Sequence, residues 1–490
     1  MSRRNRSRRT RRQGRVDVER QQNRTMFKTL TDWLIPRGRL FAKHEFHGNI
    51  KWIPEQLALQ AILWAWQAAK NVTDAFAEAT EVCEDLKLTH SAKTYTSFMD
   101  ALVRYGDVLS DCLRQQFQSL AEEAAGRSWR DRGWVLIAFD GSRVTTPRTV
   151  SNERAFCAAN YGRGKTAKYR KKKTKGMRRR NNEKNKAQPQ SPQVWITMLW
   201  HMGLRLPWTW RLGPSNSSER GHVLEILKEE EFPENTLFCG DAGFVGYDFW
   251  KSILVSGSDF LVRIGANVNL LTQQATVERL GRGRVLCWPK DKIHSGAAPL
   301  SLRLVRAKVG PTTMWMLTSV LSPQKLPHGK IVKYYKMRWG VEVEYRGLKQ
   351  TVDKRTLRCH NSDRVYVELD WSIRAMAFAE LVALREQISS RDQKPARSGH
   401  ECDPKDASLA NALRALRKCM RNLHKRPPPS DNLFSQLANA VVQKYNNRSG
   451  KKARYRPQNK DKKPLGNPTI RKLNRQERKK LAAIDHKIAA

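Results

Sequence analysis

Cysteine is sparse here in any useful arrangement. The eight cysteines (Cys83, Cys112, Cys157, Cys239, Cys287, Cys359, Cys402 and Cys419) are scattered over 490 residues with no C-x-x-C pair. That spacing argues against a zinc ribbon and a disulfide framework, and it fits a reducing compartment. Long apolar runs are missing too. No stretch approaches the roughly 20 residues that a membrane-spanning helix needs, and the Arg-rich amino-terminal segment leads into no apolar signal core. Acidic residues are in short supply: 46 Asp+Glu stand against 92 Lys+Arg, a formal charge of +46. Self-repulsion of that size destabilises a compact chain unless a polyanion neutralises it, and nucleic acid is the obvious one. An anionic membrane surface fits less well, because the basic residues lie in several blocks and form no single amphipathic anchor. These features predict a cytoplasmic protein with no membrane partner.

What is present divides the chain into segments of different texture. Residues 1–25 form an Arg-rich arm (Arg3, Arg4, Arg6, Arg8, Arg9, Arg11, Arg12) that lacks the apolar surface to fold alone and is expected to be disordered. Residues 26–130 carry a helical period: a stripe from Trp52 to Trp66, a helix from a Ser91 or Thr94 cap to Tyr105, and another around Cys112–Leu120. Such an all-α unit is suited to DNA binding. Over 131–267 buried strands appear, the first being Trp134–Phe139, which leads into Asp140-Gly141-Ser142. A hairpin over Val194–Trp200 and Trp208–Leu212 is expected to lie beside it. A second run, Thr236–Cys239, leads into Gly240-Asp241-Ala242-Gly243. The basic stretch 163–187, with Lys171–Lys173 and Arg178–Arg180, is too charged to pack and is read as a loop that clamps DNA. Short strands over 268–330 form a β-rich insertion, helix returns over 331–390, and 391–490 is a helical segment with a basic tail. The alternation of strands and helices predicts an α/β fold with a mixed sheet.

The chemistry centres on Tyr335, Arg338, Glu342 and Lys349, spaced three, four and seven apart. On a continuous helix all four fall within an arc of roughly 60°, and Glu344 lands on the opposite face. One carboxylate among basic groups is either a solvated charged face or part of a site. Two further acids, Asp140 and Asp241, each follow a buried strand. A strand-end carboxylate is often only a turn former. Three acids on one side of a sheet with a basic surround instead suggest a hard-cation site, for which Mg²⁺ or Mn²⁺ is the natural choice.

With its spacing Tyr335-x2-Arg338-x3-Glu342-x6-Lys349, the stretch resembles the Y-R-E-K signature of IS4-type DDE transposases at all four positions. Asp140 in Phe139-Asp140-Gly141-Ser142 and Asp241 in Gly240-Asp241-Ala242-Gly243-Phe244 match that family's first and second catalytic aspartates. The resemblance covers roughly residues 130–390. It implies a ribonuclease-H-like catalytic domain interrupted by the β-rich insertion. It also implies cut-and-paste transposition of an insertion sequence, by DNA cleavage and 3′-hydroxyl strand transfer with two metal ions. Asp140, Asp241 and Glu342 would be the metal ligands and catalytic residues. Tyr335, Arg338 and Lys349 would hold DNA phosphates, and Arg346, on the same arc, would join them. The implied partners are the element's terminal inverted repeats, target DNA and a second copy of the chain in a synaptic complex, with residues 409–445 the expected dimer contact. The implied setting is bacterial and nucleoid-associated.

Alternatives within reach of the same residues are a two-metal nuclease without strand transfer and a non-catalytic nucleic-acid-binding descendant. In related enzymes a tryptophan of the insertion stacks on an extruded base. Here Trp288, just before Pro289, is expected to be exposed enough for this, whereas Trp315 alternates with Met314 and Met316 and is expected to pack. His201 and His222 read as structural. Asp248 and Asp259 compete with Asp241 but follow turns, so they read as a helix cap and a loop residue.

Overall fold

In the computed structural model, residues 22–157, 192–274, 277, 282–309, 312–392, 406–425, 427–442 and 465–489 are described. The arm 1–21, the basic stretch 163–187 and most of the carboxyl tail before 465 lie outside them. Helices α1 (Gln22–Leu34), α2 (Pro54–Trp66), α3 (Val72–Asp85) and α4 (Tyr95–Ala124) come first. Pro54 opens α2, where its missing N–H costs nothing. Thr94 starts α4 by accepting a hydrogen bond from the Ser97 amide. The two helices expected over 94–120 are one 30-residue helix. Gly106 does not break it, because Leu102, Leu109, Leu113 and Phe117 carry the buried face across that point, and their burial outweighs the roughly 1 kcal/mol that a helical glycine costs.

The sheet begins with β1 (Val135–Thr145), followed by a short helix α5 (Val150–Phe156). Antiparallel strands β2 (Gln193–His201) and β3 (Leu206–Gly213) form a hairpin on one side of β1. Helix α6 (Glu219–Glu229) then leads to β4 (Thr236–Gly240), which pairs in parallel with β1 on its other side. All of β4 and Val135–Phe139 of β1 are buried, as strands covered on both faces must be. After α7 (Tyr247–Val255), β5 (Asp259–Ile264) pairs in parallel with β4. Strands β6 (Asn269–Thr272), β7 (Gly283–Cys287), β8 (Leu300–Val309) and β9 (Thr312–Thr318), with a short α8 (Lys290–His294), extend the same sheet, since β9 pairs with β5. The region expected as an insertion is thus hydrogen-bonded into the sheet that bears the acids.

Helices α9 (His328–Met337) and α10 (Gly340–Arg346) follow, then a π-helical turn over Gly347–Thr351 and the long α11 (Ser362–Asp392). Helices α12 (Leu409–Met420) and α13 (Leu433–Ala438), strand β10 (Thr469–Lys472) and α14 (Arg475–Ala489) complete the order. The whole sheet runs β10-β6-β7-β8-β9-β5-β4-β1-β2-β3. Helix α11 is the hub of the helical body. It contacts α2, α4, α12, α13 and β3, buries Trp371, Met376, Phe378 and Leu381, and receives the Trp66 indole on the Ala375 carbonyl at 2.7 Å. Helices α12 and α13, expected to serve dimer contact, spend their apolar residues (Leu413, Leu416, Leu433, Leu437) inside this chain.

Two expectations need correction. Residues 335–349 are not one helix: α9 ends at Met337, α10 begins at Gly340, and a π turn follows. A Cβ at Gly340 would overlap the six-membered ring of the buried Trp200, so the helix there is set by tertiary contact. Trp288 is buried, at 3% exposure, and donates its indole N–H to the Ala297 carbonyl. Leu473 and Leu481, from the distant β10–α14 segment, share its cluster. Trp315 is half-buried and bonds Asn467 at 2.9 Å. Among the described residues no helix is long and apolar enough to cross a membrane.

Candidate active site

Asp140 lies inside β1, not at its end. The parallel pairing with β4 stops at Ala138–Cys239, while pairing with β2 continues to Thr145. From Asp140 onward β1 has lost its β4 neighbour and keeps only its pairing with β2. Asp241 is the first residue after β4 and turns back on itself, its Oδ1 accepting the Gly243 amide at 2.7 Å. Glu342 rides on α10 and is about one-third exposed, at 37% of its side chain. Arg338, buried between them, links the two elements: its guanidinium lies 3.9 Å from Asp140 Oδ2 and 3.7 Å from Glu342 Oε1. Its Nε is buried without a hydrogen-bond partner.

The rest of the signature is gathered around this pair. Lys349, delivered by the π turn, donates to Ser142 Oγ at 2.7 Å, two residues beyond Asp140. Burial, and then the charge of Arg355, hold its ammonium below the ordinary lysine range. The Arg338 guanidinium lies over the Tyr335 ring, 5.7 Å from carbon to centroid. Arg346 is exposed on the wall of an open groove that Asp140, Ser142, Glu342, Lys349 and Arg355 also line. Tyr345, buried beneath, fastens α10 to β1 by donating to the Asp140 carbonyl at 2.8 Å. Burial raises the Asp140 carboxyl to about 6, and Asp241 and Glu342 add to that, while Arg338 and the Gly141 amide work against it.

Glu344 points away from the groove, as its place on the helix requires. It is buried, accepts the Trp200 indole N–H at 3.1 Å, and faces Glu380 of α11. Burial and the neighbouring Glu344 charge push the Glu380 carboxyl well above the usual range. His201 is buried against Trp129, and burial drives it down to about 3, so it stays neutral. His222 bonds Thr197 Oγ1 at 2.9 Å. Asp248 lies inside α7, which Gly246 caps, and pairs with Lys292; Asp259 opens β5 instead of lying in a loop and accepts from Ser319, so neither joins Asp140.

One acid near the site carries no signature. Glu219, the first residue of α6, has its carboxyl raised to about 7 by burial, then by Asp140 and Asp241. The sequence held a faint signal for it: an acid in the first turn of the helix between β3 and β4, behind the Ser218 cap. Among the described residues no three or more His, Cys, Asp or Glu side chains already form a metal-holding group.

A family model described as a transposase DDE domain matches residues 133–378. The transposase InsG for insertion sequence element IS4, from Escherichia coli (strain K12), is similar, with 23% identity over 247 residues. The match covers 49% of this chain and 50% of that protein, so the chain spans about half the length of the curated relative it matches. A cryo-EM structure of the piggyBac transposase synaptic complex with hairpin DNA is also similar, at 12% identity and a TM-score of 0.38 over 85% of each chain. The matched span contains Asp140, Asp241 and Glu342, the strands β1 to β5, and just over half of the chain: the protein belongs to the transposase DDE domain family.

Proposed function

We propose that this protein is a DNA transposase that cuts an insertion element from its flanks and joins the freed 3′-hydroxyl ends to target DNA. The observation that carries the reading is Arg338, buried between Asp140 and Glu342 at 3.9 and 3.7 Å, with Lys349 on Ser142 beside them. The sheet order β3-β2-β1-β4-β5, with β1 to β3 antiparallel and β4 and β5 parallel, supports a ribonuclease-H-like reading of the core.

Asp140, Asp241 and Glu342 are the residues we assign to divalent metal. The donor set fits Mg²⁺ or Mn²⁺, since all three are oxygen ligands and Asp140 and Glu342 line one open groove. A preformed cage is not needed, because such ions bind through one or two carboxylates and complete their shell with water and substrate phosphate. Bound there, divalent ions would activate the attacking oxygen and stabilise the leaving one. The chain's own groups do the positioning. Arg338 offers a planar fork, and Lys349 and Arg346 offer mobile charges along the groove, all suited to backbone phosphates. Tyr335 lies within cation–π reach of Arg338. The amino-terminal helices would grip element DNA, and a second copy would hold the other end.

Asp140→Asn, Asp241→Asn and Glu342→Gln are each expected to abolish Mg²⁺-dependent cleavage of a duplex carrying the element's own ends, with DNA affinity retained. A strand-transfer assay with pre-cut ends distinguishes a transposase from a plain nuclease, which would yield hydrolysis products alone. Full cleavage by Glu342→Gln would sink the assignment.

A further inference from the structure

The acids around Asp140 include Glu219, which no part of the signature requires. Its half-buried carboxylate rests on the backbone of Gly141, where an added Cβ would overlap it. Gly141 is ordinary strand, paired with Thr197 of β2. Glycine is therefore demanded there by space for Glu219 and not by backbone conformation. Ser218 fixes the approach by capping α6 through the Gly221 amide, which makes Glu219 the first helical residue. Among the described residues no donor hydrogen-bonds the Glu219 carboxylate and no cation pairs with it. Arg143 is the cation whose charge reaches it, and that guanidinium is stacked on Trp195 at 4.1 Å. A carboxylate kept for structure is held differently here: Glu368 is buried with Lys354 and two backbone amides on it. A carboxylate held beside Asp140 with no donor on it keeps its oxygens open to a hard divalent cation. Beside Asp140, the nine-tenths-buried Arg338 pairs its terminal nitrogens with Asp140 and Glu342, while its Nε has no hydrogen-bond partner.

We propose that Glu219 is a fourth carboxylate of the catalytic site, sharing a divalent cation with Asp140 and Asp241, and that Gly141 is the residue that admits it. The inference rests on the function proposed above, so the test separates the two. Mn²⁺ binding to the full chain is titrated by calorimetry for the wild type, Asp140→Asn, Glu219→Gln and Gly141→Ala, with thermal melts in chelator. Glu219→Gln and Gly141→Ala are expected to weaken Mn²⁺ by about 10- to 100-fold, the range seen when groups supporting a metal site are lost. Excess Mn²⁺ should restore cleavage by Glu219→Gln, with unchanged affinity for end DNA. In chelator, Glu219→Gln should melt no lower than the wild type, because it removes an uncompensated charge. Wild-type Mn²⁺ affinity in Glu219→Gln, beside its loss in Asp140→Asn, would overturn the inference and leave the function standing. A lower melting point in chelator with unchanged Mn²⁺ affinity would assign Glu219 to structure. Absence of Mn²⁺ binding by the wild type itself would take down the function, and this inference with it.

Discussion

The pair Lys354–Glu368 should behave as a buried electrostatic pin, and its removal has a calculable signature. Glu368 is fully buried and accepts from Lys354 Nζ at 2.7 Å, the Arg358 amide at 2.8 Å and the Cys359 amide at 2.9 Å. Burial by itself would raise this carboxyl, but Lys354 and the two amides outweigh it and hold it below the usual range. A depressed carboxyl contributes stability that is present above its unfolded pKa, near 4.5, and that is lost as pH falls through the folded value. Lys354→Met leaves the charge unpaired, a change worth about 3 to 5 kcal/mol near pH 7.5. At pH 4.5 the orphaned Glu368 takes up a proton, so the deficit should shrink below about half of that. Lys354→Met combined with Glu368→Gln removes both charges and should recover most of the loss at pH 7.5. Guanidinium chloride unfolding followed by tryptophan fluorescence at the two pH values measures all of this. A loss under about 1 kcal/mol, or one equal at both pH values, would refute the argument.

Gly340→Ala should displace α10 from Trp200 and cut cleavage at least tenfold while circular dichroism stays native, since the overlap is local to the helix that carries Glu342. Glu380→Gln should stabilise the chain at pH 8 and change little at pH 5. Glu380 has a raised carboxyl, whose stabilising contribution is complete below its unfolded pKa and fades as pH rises; unfolding midpoints at the two pH values check it. Arg338→Gln should weaken DNA cleavage more than DNA binding, as gel-shift and cleavage assays on one substrate would show. The affinity for end DNA should fall steeply with salt, and a flat response between 50 and 200 mM would contradict phosphate-dominated contact.

Much of the fold around the candidate site was legible because its signals are local. Apolar runs announced β1 and β4, and the acids that follow them announced themselves by position. The periodic face separated Glu342 from Glu344, which indeed point opposite ways. What escaped was set by distant partners. Asp140 lies mid-strand because β2 outlasts β4 alongside β1. The helix divides at Gly340 because Trp200, some 140 residues earlier, leaves no room for a side chain there. Trp288 is covered by residues that arrive almost 200 positions later. Glu219 is audible only once Gly141 is seen to make space for it.

The divided helix bears on how the signature tolerates change. Around Arg338 the amides of Trp339, Val341 and Glu342 bond carbonyls three residues back, which winds the chain tighter than an α-helix. Over 347–351 the Val352 amide bonds Gly347 five back, which winds it looser. The two departures have opposite sign, and Lys349 ends on Ser142 beside Asp140. The motif thus keeps time by residue count, with local pitch free to vary in between. Deleting one residue from 347–348 would let the loose turn relax into α-helix, yet carry the lysine out of phase with Ser142. The chain would fold, and its phosphate contact would face the wrong way.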